Sequence, residues 1–338
     1  MVSFVAVILV YGWYGHRNLG DELMRHALQS ILGSEHQLIF VDVLREDQIT
    51  KSDLLIIGGG SFLNLPLNVN TSRTKELLHH HEQRIVYVGV GAETDVHPDH
   101  IPLLARASYV NVRSEPSRNF SYVRGEFYRS GDLTDTLPNV QTPQSKQKKT
   151  LLYVPNSELL PDVDSKNWVR ASWDYYRSEI TQALDELVAL GWHVTFVPIC
   201  DDPRRRDEWA ASEIQSFCRR RSDMESIRAE KILTMEYARL LDFFGEHELI
   251  VSQRYHGVLL ANKSGCTSIS IHHHDKLKNA TGASSYLNYY GFNKHVLLNA
   301  VENAKQETER TNYVDVSLIS SIKKAIKEAL NDDTNRTT

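Results

Sequence analysis

The chain has 338 residues, 41% hydrophobic and 24% charged, with a formal net charge of −5. This suits a soluble globular protein of two domains, and the acidic balance leaves no basic footprint for nucleic acid. Its three cysteines, Cys200, Cys218 and Cys266, form no Cys-x-x-Cys pair, which argues against zinc or a disulfide framework and suits a reducing compartment.

The opening run MVSFVAVILVYGWYG is too short for a membrane helix and lacks a basic flank or small-residue cleavage site. It predicts a buried strand over 4–11. Next comes Gly12-Trp13-Tyr14-Gly15-His16-Arg17-Asn18-Leu19-Gly20-Asp21-Glu22. Its glycines permit a tight turn and close approach to a ligand. Asp21 and Glu22 would open a helix near Gly20, where carboxylates suit the dipole. The same residues also read as a plain strand-to-helix turn. Neither a Walker loop nor a dinucleotide fingerprint has this spacing.

Further short apolar runs predict strands at 38–43, 53–57, 85–90 and 109–112, with helices beginning near Thr71, Pro98 and Pro116. Unbroken Val, Ile and Leu runs suit a parallel sheet covered on both faces, and the alternation predicts a doubly wound domain. Gly58-Gly59-Gly60-Ser61 follows the third run. It can offer backbone N–H groups to an anion or a sugar hydroxyl, or be a flexible loop. Gly89-Val90-Gly91 repeats the pattern more weakly. Arg113 ends the fifth run, where its planar fork suits phosphate or carboxylate; a salt bridge to Glu115 or another acid is the alternative.

Residues 138–149, PNVQTPQSKQKK, read as a linker. The pattern then restarts, with strands at 151–154, 193–199, 249–252 and 267–271. Helices are expected at 175–190, at 204–221 behind Pro203, and at 316–330. Domains are therefore expected at 1–137 and 150–330, with a disordered tail at 331–338. Gln253-Arg254-Tyr255-His256-Gly257 joins a strand to a helix. Arg254 offers a fixed cation, His256 can transfer a proton near neutral pH, and the helix start favours an anion. Lys276 closes His272-His273-His274-Asp275-Lys276 after the next strand. It could share that anion or be an ordinary surface lysine. Consecutive histidines in extended structure alternate faces, so no metal site is expected there. His79-His80-His81 reads as a solvated helix face.

In order, the chain carries GWYGHRNLGDE, LLIIGGGSF, VGVG, VNVRSE, SGDLTD, SQRYHG and HHHDK. This series resembles the polysaccharide pyruvyl transferase family from about residue 10 to 277. Trp13 stands where that family often has Tyr. The segments 60–84 and 277–300 look individual.

Two Rossmann-like domains joined by a linker suggest a GT-B-like arrangement, with ligands expected in the cleft between them. The resemblance implies transfer of pyruvate from phosphoenolpyruvate onto two hydroxyls of one sugar, closing a cyclic ketal in cell-surface or exopolysaccharide biosynthesis. Arg113, His256 and Lys276 would hold phosphoenolpyruvate, and Arg254 would support its carboxylate or brace the loop. His256 is the candidate proton donor and Asp21 the candidate base. Tyr14, Asn18 and the backbone of Gly58, Gly59 and Gly60 are candidate acceptor contacts. No metal or cofactor is called for. The expected location is cytoplasmic, with peripheral contact at the inner membrane face if the acceptor is lipid-linked rather than polymeric. Two other readings fit the pattern. One is a GT-B-like glycosyltransferase using a nucleotide sugar. The other is a non-catalytic carbohydrate-binding or assembly protein, which would tolerate loss of the charged site residues.

Overall fold

Apolar runs without polar alternation must be buried on both faces, and here they form the centres of two parallel sheets. The computed structural model describes residues 5–60, 63–80, 84–91, 95–113, 120, 123–139, 147–162, 164–273, 283–304 and 314–331. The chain divides into two compact units. The first comprises Met1–His16, Asp21–Leu137 and Val314–Thr338; the second comprises Arg17–Gly20 and Pro138–Tyr313.

The first unit holds β1 (Val7–Tyr11), β2 (Gln37–Val41), β3 (Leu54–Gly60), β4 (Ile85–Val90), β5 (Tyr109–Val112) and β6 (Glu126–Arg129). All pair in parallel, in the order β2-β1-β3-β4-β5-β6. Helices α1 (Leu19–Leu32), α2 (Glu46–Thr50), α3 (Ser72–His80) and α4 (Ile101–Arg106) connect them. Leu9, Leu55, Ile57, Tyr87 and Val110 are fully buried in one core, each contributing about 1.5–3 kcal/mol of burial.

The second unit holds β7 (Gln147–Val154), β8 (His193–Phe196), a ribbon of β9 (Asp201–Asp202) and β10 (Arg205–Arg206), β11 (Met224–Ser226), β12 (His247–Ser252), β13 (Thr267–His272) and β14 (Ser285–Asn288). Its sheet is parallel in the order β11-β8-β7-β12-β13-β14. Its helices are α5 (Asn167–Ala189), α6 (Asp207–Phe217), α7 (Ala229–Leu233), α8 (Tyr237–Gly245), α9 (Tyr255–Lys263) and a last one at Lys294–Ala304. Trp173, Tyr176 and Phe196 anchor its core.

Strand order reverses between β1 and β3 in the first sheet and between β7 and β12 in the second. Open α/β sheets bind ligands beyond the carboxyl ends of the strands at such reversals. The fold therefore singles out the turns after β1, β3, β7 and β12.

Several expectations are corrected. The helix read over 204–221 is α6 alone, preceded by the ribbon. There Asp202 accepts both the backbone N–H and the Nε–H of Arg204, at 2.9 and 3.1 Å, and so closes a turn at Pro203. β7 begins at Gln147, inside the stretch read as a linker. The final helix, Val316–Asn331, clusters with the first unit rather than the second. Gly58–Gly60 continue β3 instead of forming a loop, with Gly59 and Gly60 at φ 70° and 106°. The helix expected near Pro116 and the tail beyond Asn331 lie outside the described residues.

Candidate active site

In the second unit, the turn after β12 is tied down before it reaches α9. Ser252 Oγ accepts the Arg254 N–H at 3.1 Å and donates to the Arg254 carbonyl at 2.8 Å. The buried Gln253 side chain accepts from the Tyr153 hydroxyl at 2.9 Å and from the Asn156 N–H at 3.1 Å, joining this turn to the end of β7. A β-carbon on Gly257 would lie 2.2 Å from Ser252 Oγ, so only glycine lets α9 start this close to the strand.

Arg254 is committed to protein carboxylates. Its Nε and Nη2 donate to Asp207 at 3.2 and 2.6 Å, and its Nη1 donates to Glu158 at 3.1 Å. Asp207 is fully buried and also accepts from the Ser157 and Ile199 N–H groups, at 3.0 and 3.4 Å. Burial pushes the Asp207 carboxyl up, against the pull of Arg254 and Ser157. Burial alone would lower the Arg254 pKa, but Asp207 and Glu158 outweigh it and raise the pKa above its ordinary value. One arginine thus joins the turns after β7, β8 and β12.

His256 stands half-buried in the first turn of α9, edge-on to Tyr255 at 5.4 Å. Gly20 lies against its ring: a β-carbon there would fall 2.0 Å from His256 Nδ1. The segment 17–20 is fixed to this unit by backbone bonds, Leu19 N–H to Ile199 O at 2.9 Å and Asp201 N–H to Arg17 O at 2.8 Å. Arg17 adds an ion pair to Asp201 at 2.7 Å. Asn18 Oδ1 accepts the Gly20 N–H at 3.2 Å, the bond of a helix N-cap. The first glycine-rich motif and the Arg254–Gly257 motif, more than 230 residues apart by number, therefore meet at Gly20 and His256.

In the first unit, Tyr14 is 6% exposed and donates its hydroxyl to the Gly58 carbonyl at 2.6 Å. Burial, and then the charges of Asp21 and Glu22, push this phenol well up. Asp21 is 7% exposed, in the first turn of α1. Arg113, with its side chain 4% exposed, pairs with the fully buried Asp132 at 3.0 Å and touches Met24 Sδ at 3.7 Å. Met24 in turn lies behind Gly59. Asp132 also caps the turn Leu133–Thr136. Lys276 and Glu115 lie outside the described residues.

One cluster had no place in the sequence reading. His16 Nε2 lies 3.0 Å from Asp42 Oδ2, and the His16 ring stacks on the Trp13 indole at 3.8 Å with 13° between planes. The two ends meet because Val41 pairs with Tyr11. Asp207 was also missed; its signal was an acid at a helix start, which is common. Among the described residues, no three His, Cys, Asp or Glu side chains gather to hold a metal ion, and no helix is long and apolar enough to cross a membrane.

Solved structures resemble the chain over nearly its whole length. UDP-GlcNAc 2-epimerase of Methanocaldococcus jannaschii, in complex with UDP-GlcNAc and UDP, matches at TM-score 0.57 and 12% identity, covering 96% of this chain and 99% of its own. The S. aureus MnaA–UDP structure matches at TM-score 0.61 and 11% identity, with 97% of each chain covered. At such identities the likeness shows the fold alone, two Rossmann-like units of the GT-B type. No curated protein matches the chain significantly. A family model described as polysaccharide pyruvyl transferase matches residues 18–275.

Proposed function

Since the chain belongs to the polysaccharide pyruvyl transferase family, we propose that it moves pyruvate from phosphoenolpyruvate onto two hydroxyls of one sugar, closing a cyclic ketal. The observation that carries this reading is the contact of His256 with Gly20. It brings the loop expected to face the acceptor onto the histidine expected to act on the donor.

The chemistry follows from the donor. His256 gives a proton to the methylene carbon of phosphoenolpyruvate, which leaves the neighbouring carbon an oxocarbenium-like electrophile. A sugar hydroxyl attacks that carbon and loses its proton, phosphate departs with its C–O electrons, and the second hydroxyl closes the ring. The start of α9 and Lys276 favour the donor's negative charge. Arg254 acts behind them as the brace that sets the 254–257 turn. Arg113 is a candidate donor contact; paired with Asp132, it also supports the Gly58–Gly60 backbone through Met24. Tyr14 does the same through Gly58, and Asn18 shapes the start of α1. The acceptor would be a lipid-linked or polymeric sugar at the cytoplasmic face of the membrane.

The test is incubation of the full chain with phosphoenolpyruvate and a panel of p-nitrophenyl hexosides. The expected result is acceptor-dependent phosphate release with product heavier by one pyruvyl group in mass spectrometry. Lack of release across the panel, together with turnover of a UDP-sugar, would sink the proposal in favour of glycosyl transfer. His256→Ala and Lys276→Ala are each expected to abolish transfer.

A further inference from the structure

We infer that His16 and Asp42 form a catalytic dyad that removes the proton from the attacking acceptor hydroxyl; this rests on the pyruvyl-transfer reading. A carboxylate only accepts hydrogen bonds, so Asp42, 3.0 Å from Nε2, sets the tautomer with hydrogen on Nε2. The lone pair is then on Nδ1, the form of imidazole that takes a proton. The Trp13 indole, parallel to the ring at 3.8 Å, fixes its plane. A positive charge arriving on the ring would have the carboxylate beside it and the aromatic face against it.

The backbone around the dyad is specialised. Gly15 and Arg17, on either side of His16, both take positive φ, at 80° and 56°. A non-glycine residue in that region stores strain of a kind that clusters at functional sites. The dyad stands beyond the carboxyl ends of β1 and β2, beside the reversal between β1 and β3. Asp21, the base expected from sequence, is 7% exposed. The His16 and Asp42 side chains are 26% and 41% exposed, within reach of a sugar. A pair so exposed contributes little to stability.

In the proposed step the acceptor O–H bond breaks and its proton passes to His16 Nδ1. The oxygen's electron pair forms the new C–O bond to the electrophilic carbon. The proton then leaves with the departing phosphate, which takes the electrons of its own C–O bond, and the ring is restored for the second hydroxyl.

The experiment compares wild type, His16→Ala, His16→Gln and Asp42→Asn in acceptor-dependent phosphate release. Phosphoenolpyruvate binding is measured separately by calorimetry without acceptor. The expected result is a fall in kcat of about 10²–10⁴-fold in each variant, with unchanged donor affinity and melting temperature. Added imidazole should restore part of the rate in His16→Ala but none in His16→Gln, where the pocket stays filled. Wild-type kcat in His16→Gln would overturn the dyad while leaving pyruvyl transfer intact. So would a loss explained by weaker donor binding. If wild type itself transfers no pyruvyl group to any acceptor, the parent reading fails and the dyad with it.

Discussion

A single methyl group at Gly20 has nowhere to go, since it would overlap the His256 ring at 2.0 Å. Gly20→Ala should therefore push the histidine aside and cut transfer by about 100-fold or more. The melting temperature should move by only a few degrees, because alanine favours the helix it enters; paired activity and melting measurements check this. Asp207→Ala tests the brace. It strands the Arg254 guanidinium in a buried site without its main partner, at a cost of about 3–5 kcal/mol, read as a lower urea midpoint. His100 makes stability depend on pH. Burial presses its pKa down to about 4, against the bond to the Leu65 carbonyl. The unfolded chain takes up that proton near pH 6.5 and the folded chain only near 4, so stability is lost as pH falls between those values. The loss is about 3 kcal/mol in all, and His100→Gln should flatten that part of the urea-midpoint profile. Arg254, His256 and Arg113 were each visible in the sequence at the end of an apolar run. Their partners were not, because Asp207 lies 47 positions from Arg254 and Asp132 lies 19 from Arg113, and no local spacing rule links such pairs.

Helix α9 is the element on which the candidate site depends most. Its first turn carries His256, and its approach to β12 and β7 is set by the missing side chain of Gly257. Gly257→Ala would drive a methyl into Ser252 Oγ and crowd Val154. The expected cost is about 1–3 kcal/mol together with most of the activity, seen as a lower urea midpoint and a reduced rate in the transfer assay. The central strands were legible because they are buried on both faces and so read as uninterrupted apolar runs. Of the four edge strands, β2 was legible at 38–43, but β6, β11 and β14, with sequences EFYR, MES and SYLN, were not. Their outer residues are exposed, so the sequence loses the pattern where the sheet loses its cover. Residues 204–206, in the ribbon, read from sequence as the start of a helix because a charged run behind a proline looks like one. Only the folding of Arg204 back onto Asp202 shows otherwise.

At the scale of the whole molecule, the first unit is completed by the last described helix. Leu318, Ile322 and Ile326 of that helix are buried, Tyr109 shares a hydrogen bond with Ser321 at 2.9 Å, and Arg84 donates to the Leu330 carbonyl at 3.0 Å. A chain cut after residue 313 should therefore lose several kcal/mol from the first unit alone. Limited proteolysis should show new cleavage within residues 5–137 while the second unit stays resistant. The same connectivity gives the chain an order of assembly on the ribosome. Everything the second unit needs, including residues 17–20, is already made when residue 313 emerges. The first unit, begun earlier, must wait for its closing helix while the intervening stretch is translated, on the order of ten to forty seconds. Through that interval the β4–β5 face of a nearly finished sheet lacks the helix that covers it.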